Sequence, residues 1–433
     1  MERDAAAVGA GQLDAEIIPA DRAPERAAPA GQEGTQASEP VNREKRAKRK
    51  ARAAKGKHPN PTPRLSVSKK ALKRLRLVAV AYSGVERGFF PTEEAYQAEK
   101  EVESRAAQVL QVMESIGVPG RLYGGGENFL TDLLADRPDL VLNLVDTLRG
   151  RDALQASIPG ALELVDIPYT GAGMPGLVLG NDRNLVKQLL KANKIPTPEY
   201  QYIKRAGTKV NPALGLPLIV KLNEGGGSVG IDNNAVKETL EAVQEQVDYL
   251  IATYKMPVIV ERFIDGPEVT AVVFEDRRRR HVFLGQKEFG VRPDGKHEFT
   301  SLESYDMPDP YRYIPVSDQE LAKRIEQHAN KVFRILHSRD YAKYDIRVEA
   351  RTGTPYFTDC NPNTAFGPSL GLPFTEIVET LYGVKFQKVL ESLLSKYARK
   401  IRAAERPVTD ATDDAISGSC MQEPVENAGL SGA

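Results

Sequence analysis

The sequence predicts an α/β protein of several domains, and three observations carry that prediction. From Leu75 onward short apolar strands alternate with helical periods, as in a parallel sheet covered by helices. Beyond residue 257, runs rich in Val, Ile, Phe and Tyr are joined by tight turns, which suits antiparallel strands. Between the two lies an apolar strand that opens into a glycine-rich loop, PLIVKLNEGGGSVGI. A chain of 433 residues holds two or three such domains and buries a full core.

Composition narrows the class. Hydrophobic residues at 41% and charged residues at 27% are those of an ordinary globular protein, and no apolar run is long enough to span a bilayer. The first thirty residues lack the apolar core of a secretory signal. Two cysteines, Cys360 and Cys420, are too few for a disulfide framework and argue for a reducing, cytoplasmic setting. Lys plus Arg equals Asp plus Glu at 59 each, yet the charge is segregated: residues 1–40 lean acidic, whereas REKRAKRKARAAKGKH at 43–58 is almost continuously basic. With few apolar residues to offset chain entropy, residues 1–72 read as a disordered, solvated leader. The tract could touch nucleic acid or an acidic membrane surface, but no aromatic is interleaved for base stacking, so a solvated leader is expected, with neither a specific nucleic-acid partner nor a membrane.

The first folded segment, residues 73–178, opens with the buried strand RLVAVAYSG. One long helical pattern follows, from Thr92 to its stop at Gly117, then a strand at 139–147 and a helix around 152–165. Ligands of such sheets bind at the carboxyl ends of the strands. A second segment, 179–256, begins with a helix that Asn181 or Asp182 can cap and that Pro196 and Pro198 terminate. Its strand carries Lys221 into the loop with Gly226, Gly227 and Ser228. Glycines let backbone amides approach a phosphate, and a strand-end lysine adds a point charge. A plain flexible hairpin is the alternative, because no Gly-Lys-Ser/Thr closes the loop.

The third segment, 257–400, starts with two strands about a turn at Asp265, Gly266 and Pro267, flanked by Glu261 and Glu268. A strand with Lys287 and an aperiodic stretch from Phe289 to Ile314 follow, the length of a functional lid. Around YAKYDIRVEARTGTPYFTDCNPN the alternation is most informative. A period of two puts Lys343, Asp345, Arg347 and Glu349 on one face and Tyr344, Ile346 and Val348 on the other. The returning strand puts Phe357, Asp359 and Asn361 on a common face, so a hairpin in suitable register sets Asp345 opposite Asp359. Two carboxylates and an amide of this kind suit Mg2+, which takes hard oxygen ligands; a solvated strand face is the alternative. Residues 401–433 have the composition of a disordered tail.

The order of these motifs resembles the ATP-grasp superfamily, and within it the D-alanine–D-alanine ligase family, over roughly residues 75–395. IPYTG, ND before a helix ending in IPTP, PLIVKLNEGGGSVG, VIVERFIDGPE and the D-x(13)-D-x-N hairpin occur there in the same sequence. The resemblance implies a three-domain ATP-grasp fold, an α/β domain followed by two α+β subdomains that clasp ATP, with disordered N- and C-terminal tails. By position, Arg183 and Lys221 fall near the ATP phosphates, and the loop with Gly226, Gly227 and Ser228 closes over them. Glu261, with the backbone of Arg262 and Ile264, falls at the adenine, Glu268 at the ribose and Lys287 on the lid side. Asp345, Asp359 and Asn361 fall on the metal ligands, one or two Mg2+ ions that Mn2+ can replace. Glu99 falls where the family holds the first substrate's amino group.

The implied chemistry is a carboxylate–amine ligation through an acylphosphate. Its substrates are a small carboxylate and an amine, amino acids above all. Family members are often homodimers, and no interface pattern in this sequence decides the point. Departures cluster at the substrate end. Lys343 stands where the dipeptide ligases have an arginine, Asn361 is followed by Pro-Asn-Thr-Ala, and LVDTLRGRDALQ replaces a His-Gly motif. They point to substrates other than two D-alanines. A strict D-alanine–D-alanine ligase and a catalytically idle nucleotide-binding scaffold are the alternatives, and the intact metal set counts against the second.

Overall fold

The computed structural model describes residues 60–290, 297–305 and 310–404. Residues 1–59, most of the expected leader, and residues 405–433 of the expected tail lie outside them. Residues 60–72, expected in the leader, are part of the folded body. Ser68 caps the short helix Lys69–Leu72, and its amide donates to Ser395 Oγ at 2.9 Å. Ala71, Leu72 and Leu75 are buried with the apolar face of the last helix, Phe386–Ala404, which ties the segment down.

The first sheet holds β1 (Val78–Ser83), β2 (Gly120–Gly125) and β3 (Leu140–Asn143), all parallel in the order β2-β1-β3. Strand β2 was not expected, because GRLYGG has neither β-branched residues nor a clean alternation; pairing along the whole of β1 recruits it. The expected single helix is two, Glu93–Glu99 and Val102–Ser115, broken at Lys100 and Glu101. The second of them buries Val102, Ala106, Val109 and Met113, a stripe at helical spacing, over the sheet.

In the second sheet β4 (Tyr200–Ile203), β5 (Leu218–Leu222), β6 (Val236–Lys237) and β7 (Val258–Arg262) run antiparallel in the order β4-β7-β5-β6. The third sheet is antiparallel too: β8 (Glu268–Glu275), β9 (Arg280–Phe289), β10 (Tyr311–Ile314), β11 (Tyr341–Val348) and β12 (Pro355–Asn361), ordered β10-β9-β8-β11-β12. Strands β7 and β8 therefore belong to different sheets, and the division falls at the Asp265–Pro267 turn, later than the sequence boundary at 257. Gly266 makes that turn. At φ +138° it occupies a region open to glycine, and a Cβ there would lie 2.0 Å from the Val348 carbonyl oxygen.

The third sheet buries Val269, Ala271, Tyr344, Ile346 and Phe357 against the helix Gln319–Ile335, whose Leu321, Ile325, Ala329 and Val332 face it. Each fully buried aliphatic side chain of this kind contributes about 1.5–3 kcal/mol. That packing holds β8, β11 and β12 rigid and leaves their polar face toward the second sheet.

Candidate active site

Between the second and third sheets lies a cleft of about 850 Å3, open to solvent. Strand β5 brings Lys221 to it, the following loop Gly226, Gly227 and Ser228, and β7 with its exit Glu261, Arg262 and Ile264. The third sheet contributes Glu268, Lys287, Lys343, Asp345, Asp359 and Asn361. All the residues singled out from the sequence line this cleft except Arg183 and Glu99.

The hairpin register is the expected one: Asp345 pairs with Asp359 and Lys343 with Asn361. A bulge between Asp345 and Ile346 corrects one detail. Ile346 pairs with Phe357, so Thr358 and Asp359 both turn to the cleft while Phe357 and Cys360 point into the core. Phe357 thus does not share a face with Asp359, because the extra residue shifts the alternation. Cationic groups hold the two carboxylates. Lys343 Nζ lies 2.7 Å from Asp345 Oδ2, Thr270 Oγ1 donates to Asp345 Oδ1 at 3.0 Å, and Arg183 Nη2 donates to Asp359 Oδ2 at 2.9 Å. Burial pushes the Asp359 carboxyl up, but the charges of Arg183, then Lys221 and Lys343, outweigh it and hold it below the usual range.

Arg183 reaches the cleft from behind. Asp182 caps its helix, accepting from the Leu185 amide at 3.0 Å, and Arg183 Nη1 donates to the Leu222 carbonyl at 2.9 Å. The same helix supplies a group that sequence reasoning missed. Lys187, one turn on from Arg183, is 2% exposed, lies 3.1 Å from Glu261 Oε1 and donates to Thr197 Oγ1 at 3.0 Å. Lys221 Nζ stands 3.3 Å from the other oxygen of Glu261. Burial would raise the Glu261 carboxyl, yet Lys187 and Lys221 keep it low, whereas burial wins at Lys187 and lowers its pKa. A lysine among the buried Val186 and Leu190 positions of an amphipathic helix was the available signal.

Arg347 is the second omission, although its place on the strand face with Lys343 and Asp345 was evident. It donates to the carbonyls of Ile264 at 2.6 Å and Gly266 at 2.9 Å, and lies 3.4 Å from Glu268. Glu268 is also bonded to Lys287 and, at 2.9 Å, to Thr300 Oγ1. The described part of the expected lid lines the cleft through Phe299 and Thr300. Ile219, Phe263 and Phe299 form a buried apolar cluster at this end, which gives the cleft an apolar pole opposite the charged one.

Glu99 lies elsewhere, at the end of the helix Glu93–Glu99, on the first-domain side of the glycine loop. Burial and the nearby Asp146 and Asp152 raise its carboxyl well above the ordinary value. Asp152, also missed, is pushed up to about 6 by burial and Asp146. The loop meets this domain closely: the Gly230 amide donates to Glu94 Oε1 at 2.8 Å, and a Cβ on Gly227 would stand 3.1 Å from that of Ala98.

A family model described as D-ala D-ala ligase C-terminus matches residues 189–395. The D-alanine–D-alanine ligase of Albidiferax ferrireducens is 27% identical over 322 residues, 72% of this chain and 89% of its own length. That of Polaromonas naphthalenivorans is 29% identical over 61% of this chain and 80% of its own. Among solved structures, the D-alanine–D-alanine ligase of Bacillus anthracis complexed with ATP superposes with a TM-score of 0.57 at 18% identity, covering 76% of this chain and 99% of that one. The VanG D-Ala:D-Ser ligase of Enterococcus faecalis gives 0.53 at 19%, covering 75% and 99%. Two antiparallel sheets clasping a cleft, in a chain with these relatives, define an ATP-dependent ligase of the ATP-grasp fold. Residues 189–395 match the C-terminal part of the D-alanine–D-alanine ligases, and the chain shares the fold of those enzymes.

Proposed function

We propose that this ligase joins a small carboxylate to an amine through an acylphosphate, and that its pair of substrates is not two D-alanines. The observation that carries the reading is the Asp345–Asp359 pair, faced across the hairpin and attended by Lys343, Arg183 and Lys221. Two carboxylates and Asn361 on one rigid face match the hard oxygen donors of Mg2+, with substrate phosphates completing the shell. Asp345, Asp359 and Asn361 would hold it, and it would neutralise phosphate charge there. The Gly226–Ser228 loop and Lys221 receive the triphosphate, while the apolar pole beside Glu261, Arg262 and Ile264 receives the adenine. Glu268 faces the ribose, and Lys287 keeps it ionised.

The substrate carboxylate attacks the γ-phosphorus of ATP, and ADP leaves with the bond electrons. Arg183, Lys221 and Lys343 stabilise charge on the transferred phosphoryl oxygens. The amine then adds to the acyl carbon, loses a proton, and expels phosphate as the amide forms. Closure by the lid segment protects the acylphosphate from water. Lys343 keeps the charge of an arginine but has no planar fork to grip a substrate carboxylate at two points. For that reason recognition of the second substrate differs. The substrates are amino acids or other small acids and amines, the buried thiol of Cys360 suits the reducing cytoplasm, and a homodimer is the expected assembly.

Hydroxylamine trapping tests the intermediate. Turnover in its presence should give the hydroxamate of the acid substrate, and ADP release without hydroxamate would exclude an acylphosphate. Lys343→Arg tests the departure: it should change the ranking of amine substrates several-fold, and an unchanged ranking would show that Lys343 does not face them.

A further inference from the structure

Three basic segments that ligation does not use meet on one face. Lys69, Lys70 and Lys73, on and just after the first helix, are exposed, as is the turn of Arg277, Arg278 and Arg279 between β8 and β9. Inward-facing bonds join them. The Ser66 amide donates to Asp276 Oδ2 at 2.8 Å, while Asp276 Oδ1 accepts from the amides of Arg278 at 2.6 Å and Arg279 at 2.9 Å. The last helix closes the seam: Ser392 Oγ donates to the Ser66 carbonyl at 3.1 Å, and this helix adds the exposed Arg399 and Lys400. The acids at the seam are consumed. Asp276 is 4% exposed and holds the arginine turn, and Glu275 is paired with Lys396 at 2.7 Å. Cations therefore face solvent without acidic neighbours from the seam. The face is also clear of the cleft, because β8 runs from Glu268 to Glu275, roughly 23 Å at the usual rise per residue.

We propose that this face binds the phosphodiester backbone of a nucleic acid without reading its bases. The basic tract by itself reads as a solvated leader that could touch nucleic acid, since it lacks aromatics for base stacking. A structured cluster of lysines and arginines changes the balance, because backbone binding needs only cations: each phosphate neutralised releases a counterion. Upstream of the described residues the sequence adds nine Lys and Arg against one Glu over 43–57, charge of the same sign. A membrane fits less well. Firm attachment to a bilayer takes an apolar or lipid anchor beside the basic residues. Among the described residues the exposed large apolar side chains, Phe89, Leu164 and Leu370 among them, all lie outside these three segments.

The test is fluorescence anisotropy of the full-length chain with a labelled 20-base-pair duplex of arbitrary sequence. Binding should be independent of sequence and fall about a thousandfold between 50 and 200 mM salt, as expected for about six phosphates. Reversing the turn, Arg277→Glu with Arg278→Glu and Arg279→Glu, should weaken binding more than tenfold and flatten the salt slope, with thermal melting and ATP-dependent phosphate release unchanged. Absence of binding at 50 mM salt overturns the proposal. So does binding that the turn variant leaves intact but deletion of residues 43–57 abolishes, which would place the contact in the tract alone. Tighter binding to vesicles with 30% anionic lipid than to the duplex would instead assign the face to a membrane.

Discussion

Replacing Glu268 by glutamine perturbs the cleft at a buried carboxylate held by two cations. Glu268 is 7% exposed and faces Lys287, Thr300 and Arg347. Burial alone would push its carboxyl up, but the Lys287 charge, then that of Arg347, outweighs burial and holds it at about 2 against an ordinary 4.5. Converted at 1.36 kcal/mol per pKa unit, that difference is about 3 kcal/mol. An acid whose pKa is lowered on folding contributes this stability above its unfolded value and loses it as pH falls toward the folded one. Glu268→Gln should therefore cost about 3 kcal/mol at pH 7, and about half of that difference should be gone by pH 3. The cost sits at the low end for breaking a buried ion pair, about 3–5 kcal/mol, because Arg347 keeps three carbonyl acceptors, on Ile264, Gly266 and Glu298. Urea unfolding of both proteins from pH 7 to pH 3 measures it. A difference that is absent at pH 7, or as large at pH 3 as at pH 7, would refute the reasoning.

Other perturbations address the rest of the cleft. Asp359→Ala should reduce turnover at least a thousandfold and leave the circular dichroism spectrum unchanged; a variant of near wild-type activity would remove Asp359 from the proposed metal site. Lys187→Met should lower stability by about 3–5 kcal/mol by removing one of the two ion-pair partners of the buried Glu261, and adding Glu261→Gln should recover part of it. Additive losses in that double variant would show that the two side chains are not coupled. Deleting residues 1–59 should preserve turnover and the melting temperature, whereas deleting 1–72 should lower the melting temperature by removing the Ser66 and Ser68 contacts. Equal melting temperatures for the two truncations would contradict the packing of residues 60–72.

Much of the site was legible because strands report their own geometry. Alternation along β11 separates Lys343, Asp345 and Arg347 from Tyr344 and Ile346 without knowledge of any partner, and the short turn then sets Asp345 against Asp359. The bulge at Thr358 was not legible, since an extra residue exists only relative to the strand opposite. Strand β2 escaped for a related reason, its identity coming from β1. Lys187 was hidden because a lysine at a helix position is ordinarily solvated; only the buried Glu261 across the gap makes it a core residue. The break after Glu99 and the crowding of Asp146 and Asp152 are tertiary events between loops, which no local period encodes. The leader boundary moved to residue 60 because a few apolar side chains, Leu65, Ala71 and Leu72, find the last helix.

The products of turnover test the proposed ligation most directly. Phosphate release from ATP with Mg2+ should be measured across a matrix of amino acids and small carboxylic acids, with mass spectrometry of each mixture. Release that requires one acid and one amine together, with the mass of their amide and a pair other than two D-alanines, is the predicted result. Dipeptide formed from D-alanine alone would contradict the substrate reading and establish the cell-wall ligase, and bound ATP without any release across the matrix would contradict ligation itself.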